Sequence, residues 1–276
     1  MIASIVVIFP HHTMAQNNSL SLFAPWLSAL WGRKQTVAPL PFAPEQWREV
    51  IWAITNVFET GRAEGDASAI QTHDAGVVSY GKHQATLAAG TLAEVVTRYV
   101  QTSQTQVAAE LTSWLPRLKA KDPTLRQETS LHQLLRSAAA DPAMIAAQDS
   151  VFETLYYQPA INRAIEHGLG TPLALACLYD AGVQGGRDHI LARLAATTGV
   201  PSPLPEQQWI ALFLDQRDLW LGEIATQLEA RGEAQQAHYL RNSRFRVAAL
   251  RQLLWKNNLN LRGRIRLRGQ IIQGLP

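Results

Sequence analysis

The run LALACLYDAG, residues 173–182, is apolar on nearly every side of a helix, and one carboxylate, Asp180, stands inside it. A helix with that pattern has no face left for water. An ionised carboxylate buried there without a partner would lose several kcal/mol of solvation, so Asp180 has to be paired. Arginine fits best, because its planar fork can satisfy both carboxylate oxygens. Two candidates lie on later helical segments, Arg217 in LFLDQRDLW and Arg244 in RNSRFRV. The pairing is either a plain structural salt bridge or part of a charged network that reaches a reactive group.

Helical patterning dominates the rest of the chain. Trp47, Val50, Ile51, Ile54, Val57 and Phe58 repeat along one helix face, and Gly61 offers a left-handed stop. Residues 67–86 differ: SAIQT and GVVSY are β-prone pieces around a polar, glycine-flanked turn, which predicts a hairpin or a small three-stranded sheet. Amphipathic helices follow. Asp141-Pro142 and Thr171-Pro172 each combine an N-cap residue with a proline at the first helical position, the former opening a helix to about Tyr157. Residues 206–230 and 234–256 predict two further helices, and LNLRGRIRLRGQII alternates like an edge strand or hairpin.

Three segments result: an N-terminal tail with a proline-rich linker over 1–44, a main body over 45–262, and a basic C-terminal extension over 263–276. The apolar run Ile2–Phe9 has no Lys or Arg before it and is too short to span a bilayer. It makes a weak secretory signal, with secretion or a cell-envelope location as one expectation and a plain tail, starting at Met14, as the other. Cys177, the single cysteine, excludes an internal disulfide and reads as a small buried hydrophobe. From Ala234 onward there is no acid but nine basic residues, whereas residues 1–233 carry 16 basic against 22 acidic groups. An acidic body and a basic end permit a cationic ligand at one and an anionic ligand at the other.

Two other carboxylates could carry chemistry. Glu59 falls in the last turn of its helix, where unpaired carbonyls disfavour a second negative charge, which is the push a general acid needs. Position alone equally admits a solvated helix-end glutamate. Asp74, in a glycine-flanked turn fifteen positions later, can stay hydrated and ionised as a base for water, although turn aspartates commonly just bond their own backbone. Ser79 in GVVSYG misses the nucleophile-elbow spacing by one residue, His73, His83 and the His11-His12 pair lack metal-ligand spacing, and no phosphate-binding glycine loop occurs. Trp47, Trp52, Trp209 and Trp220 sit in helical stripes and read as core.

With these residues in view, the sequence resembles the chitosanases of glycoside hydrolase family 46, within the lysozyme-like superfamily. ITNVFETG is similar to the family's catalytic-acid helix, and DAGVVSYG to the segment bearing the second carboxylate. The most specific block is AQDSVFETLYYQPAINRAIEHGL followed by ALACLYDAG. The resemblance covers roughly residues 45–262 and implies Glu59 as general acid, Asp74 as base, and Ser79 near a hydroxyl that positions water. It also implies Asp180, Arg217 and Arg244 as the supporting ion network. The implied fold is mainly α, an α+β lysozyme-like arrangement of two helical lobes around a cleft with a small sheet on one side. Where the family carries ammonium-binding acids, this chain has Thr91 and Leu92, and Ile70 or Gln71.

The expected activity is inverting, endo-acting hydrolysis of a β-1,4-linked amino-sugar polymer by a monomer that requires no metal or cofactor. Nucleic acid and stable membrane insertion are not expected. The missing ammonium-binding acids and the basic end leave peptidoglycan as an alternative substrate. The acid-free end leaves a non-catalytic polyanion-binding module as an alternative of another kind.

Overall fold

In a computed structural model, residues 44–73, 75–198 and 204–276 are described. Helix α1, Pro44–Thr60, ends at Gly61, whose φ of 79° provides the left-handed stop. A three-stranded antiparallel sheet follows, β1 Ile70–Gln71, β2 Ser79–Tyr80 and β3 Ala85–Thr86, in the order β1-β2-β3. Its strands are two residues long, so the sheet is held chiefly by what packs on it. Tyr80 is buried and donates its hydroxyl to the Leu135 carbonyl, and Arg126 donates to the Thr72 carbonyl at the turn.

α2, Thr91–Thr102, packs on β3, and α3, Gln106–Thr112, α4, Leu115–Lys119, and α6, Pro142–Phe152, pack on α2, with α5, Thr129–Ala138, against α3. Asp141 caps α6 by accepting from the Ala143 amide, as the Asp-Pro signal predicts. The helical path does run through Tyr157, but as a π-turn over Glu153–Tyr157 that leads into α7, Gln158–Glu166. Pro159 is the physical reason: it has no N–H to continue the α ladder, and the widened turn closes on Gln158 N–H to Glu153 O instead.

The second group of helices surrounds α8, Pro172–Gln184, which is buried at every position except Gly182. Thr171 caps it, and the first residue of α10 accepts three bonds there, from Gly170 N, Thr171 N and Thr171 Oγ1 to Glu206 Oε1. Around α8 lie α7, α9 (Arg187–Thr198), α10 (Glu206–Ala230), α11 (Ala234–Ser243) and α12 (Phe245–Trp255). Residues 234–256 are thus two helices broken at Arg244, not one. After α8 the chain turns through Gly186, φ 94°, where the Trp220 indole lies so close that a Cβ would sit 2.2 Å from it.

The C-terminal residues form a hairpin, β4 Arg264–Leu267 paired with β5 Gln270–Gln273. Ile265, Leu267 and Ile272 are buried, and β5 packs on α1. Arg268 lies over the Phe245 ring, which meets Phe58 edge to face, and Arg246 lies over the Phe58 ring. The hairpin is therefore tied through two aromatic rings to the region below the end of α1. The expected N-terminal signal and most of the proline-rich linker lie outside the described residues.

Candidate active site

Glu59 is 2% exposed, so the solvated helix-end reading of this residue is excluded. Its Oε1 accepts from Arg246 Nη1 at 2.6 Å, and Arg246 Nη2 bonds Asp180 Oδ1 at 2.6 Å. Arg246 Nε adds longer contacts to both Asp180 oxygens. On the other side of Asp180, Arg217 Nη2 reaches Oδ2 at 2.7 Å and Gln184 Oε1 at 2.5 Å. Thr55, one turn before Glu59 on α1, donates to Asp180 Oδ1 at 3.2 Å. Two carboxyl groups and two guanidiniums thus sit together in the interior, each carboxyl bonded to at least one guanidinium, which is the condition under which buried ions can be retained.

The electrostatics follow from that arrangement. Burial works against the Asp180 charge, but Arg246 and Arg217 outweigh it and hold the carboxyl below the ordinary range. For Arg246 burial is likewise unfavourable, and Asp180 with Glu59 raises its pKa nonetheless. Arg217 comes out the other way: burial and the neighbouring Arg246 outweigh Asp180 and lower it. Its Nε and Nη1 have no acceptor among the described residues. Arg217 is the strained member of the set.

Of the two arginines that the sequence offers Asp180, Arg217 is bonded to it and Arg244 is not. Arg244 forms a two-point ion pair with Asp218, Nε to Oδ1 and Nη2 to Oδ2 at 2.7 Å each, and its side chain is 41% exposed. The reason is the break between α11 and α12, which leaves Arg244 at the junction. Arg246, two residues on and therefore on the opposite side of the helix, points inward. A signal for it existed, since Arg246, Leu250 and Leu253 share the i, i+4, i+7 spacing of the buried face of α12.

Ser79 is fully buried on β2, paired in register with Gln71 and Thr86. Asp74, which follows β1 in the sequence, lies outside the described residues. Thr91, at the start of α2, is bonded to Tyr156 of the π-turn, 2.8 Å between hydroxyl oxygens, and Leu92 is buried. The four tryptophans read as core are buried, and Cys177 is too, with burial pushing its thiol up to about 12. No group of His, Cys, Asp or Glu suited to a metal ion occurs among the described residues.

The profile of glycosyl hydrolase family 46 matches residues 68–263, most of the chain. The protein belongs to this family. A chitosanase of Bacillus subtilis (strain 168) is 32% identical over 229 residues, spanning 78% of this chain and 79% of that protein. Among solved structures, a family 46 chitosanase of Gynuella sunshinyii in complex with chitotetraose superposes with a TM-score of 0.72 at 28% identity, covering 84% of this chain and 98% of that one. A mutant chitosanase from Bacillus subtilis MY002 complexed with 6 GlcN gives 0.71 at 27%, covering 83% and 99%. The family 46 assignment makes the protein a glycoside hydrolase and its architecture lysozyme-like. It favours neither a peptidoglycan hydrolase nor a non-catalytic polyanion module.

Proposed function

We propose that the protein is an endo-acting, inverting chitosanase with Glu59 as general acid, Asp74 as general base and Ser79 as a positioning hydroxyl for the attacking water. The observation that carries this reading is the grip on Glu59, a buried carboxylate fixed by Arg246 at 2.6 Å inside a family 46 chain. As general acid, Glu59 delivers its proton to the glycosidic oxygen as the bond to the anomeric carbon breaks. A water on the opposite face of the sugar attacks the anomeric carbon and gives its proton to Asp74. An inverting pair of this kind stands roughly 6.5 to 9.5 Å apart, leaving room for the water.

Relatives bearing the name chitosanase, two of them solved with chitotetraose or with 6 GlcN, support a glucosamine polymer as substrate. The acidic balance of residues 1–233 suits a cationic chain. We further propose that the enzyme acts as a monomer. No helix among the described residues is long and apolar enough to cross a membrane.

The test is hydrolysis of chitosan oligomers with the anomeric configuration of the fresh product followed by NMR. The expected product is the inverted anomer. Glu59→Gln should keep its bond to Arg246 through the amide oxygen yet lower kcat by about 10² to 10⁴. Retained activity in that variant, or a retained anomer, would sink the assignment.

A further inference from the structure

A second buried polar cluster lies beside the acid, and the mechanism above does not use it. His83 sits in the loop between β2 and β3, 1% exposed. Its Nδ1 is 2.9 Å from Asn56 Oδ1, and its Nε2 is 3.0 Å from Asp149 Oδ1. Asn56 lies on α1, one turn before Glu59, and Asp149 on α6.

The hydrogen-bond inventory fixes the state of the ring. Asn56 Nδ2 donates to the Ala63 carbonyl at 3.2 Å, and a carbonyl can only accept, so the oxygen of the amide is the atom that faces His83. Asp149 is gripped by Lys82 Nζ, 2.8 Å from Oδ1 and 3.1 Å from Oδ2. Burial disfavours its charge, yet His83 and Lys82 together hold its carboxyl below the ordinary range. Asp149 is therefore an anion that accepts. Both ring nitrogens of His83 thus face acceptors, and a neutral imidazole has only one N–H to give. Phe152 stacks on the ring at 4.7 Å and 29°, presenting the electron-rich face that favours a cation.

We propose that His83 is a standing imidazolium that positions Glu59, bonding the acid's helix through Asn56 and α6 through Asp149 from the loop that follows Ser79. The charges around it are Asp149 on α6, Lys82 in the same loop and Glu59 on α1, with Trp52 of α1 and Phe152 of α6 supplying the apolar walls. Burial is the largest influence and, helped by the Lys82 charge, takes the imidazole pKa below its ordinary value, although the bond and charge of Asp149 oppose the fall. The bond count decides for the charged form, since either neutral tautomer sets a ring lone pair against a buried oxygen. A one-residue loop contact thereby joins three elements, α1, α6 and the sheet, at the level of the acid.

The positioning half rests on the proposed function; the protonation half does not. Histidine-selective nitrogen-15 labelling of the full chain, with His83 assigned by the signal missing from His83→Gln, reads the ring directly. A proton on both nitrogens at neutral pH is expected, and a single protonated nitrogen overturns the inference. Asp149→Asn should strip one proton from the ring in the same spectrum; an unchanged imidazolium there overturns the role of Asp149. For chitosan cleavage, His83→Gln and Asp149→Asn should lower kcat roughly tenfold or more while KM stays nearly constant, because the acid is displaced rather than the substrate. Unchanged kcat in both folded variants overturns the positioning role. A wild-type protein inactive on chitosan would refute the proposed function and leave the spectrum to decide His83.

Discussion

Arg246 and Glu59 form a 2.6 Å ion pair although 187 positions of chain separate them, and each is 3% exposed. The same guanidinium binds Asp180, so one cation serves both the proposed proton donor and the carboxylate at the centre of the fold. Arg246→Ala leaves Asp180 to Arg217 alone and takes the guanidinium from Glu59, and should destabilise the protein by on the order of 3 to 5 kcal/mol. Arg246→Lys restores charge but not the fork, and should recover part of the stability and little of kcat. Urea unfolding and initial rates on chitosan measure the two effects.

Arg244 and Arg217 should behave oppositely. Truncating Arg244 breaks a partly exposed pair with Asp218 and should change stability by no more than about 1 kcal/mol. Truncating Arg217, fully buried against Asp180, should remove on the order of 3 kcal/mol. Equal midpoints in urea for the two alanine variants would contradict the assignment of Arg217 to the buried set.

Acid should unfold the protein partly through Asp180. Its folded pKa is held below the reference value of 3.8, so the folded state binds this proton less readily than the unfolded chain. The stabilisation is complete above that reference and is lost as pH falls below it, through the folded value. Asp149 and Asp218 are shifted in the same direction. The melting midpoint should therefore drop steeply below about pH 4. Asp180→Asn, already destabilised at neutral pH, should show a shallower drop.

Gly186→Ala should destabilise by about 1 to 3 kcal/mol, since the added methyl meets the Trp220 ring and the backbone is left-handed there. The near-ultraviolet dichroism of Trp220 should change with it. A variant with wild-type stability would mean that the indole moves aside freely.

What the sequence disclosed was set by how few physical solutions each pattern allowed. A carboxylate inside a helix with no polar face has one remedy, an arginine partner, and Arg217 is one of the two that the sequence offers Asp180. The caps at Asp141 and Thr171 were equally legible, because an N-cap residue before proline has few other uses. Arg246 was hidden by treating residues 234–256 as one helix, although neither proline nor glycine marks the break. Ser243 is the mark in hindsight: it turns its hydroxyl to the Leu240 carbonyl and receives Gln184, which a mid-helix residue on a water-facing side would not do. His83 has no local signal in the sequence, because its partners lie 27 and 66 positions away, beyond any local pattern.

The buried ion set also dictates when during synthesis the enzyme becomes competent. Its contacts join segments 37, 66 and 187 positions apart, and the longest is the one that orients Glu59. A nascent polypeptide stopped short of α12 has the glutamate but nothing to aim it, and contacts of such long range form late. With Glu59 in its proposed role, cleavage of polymer has to wait until α12 has been made and has docked on the first helix.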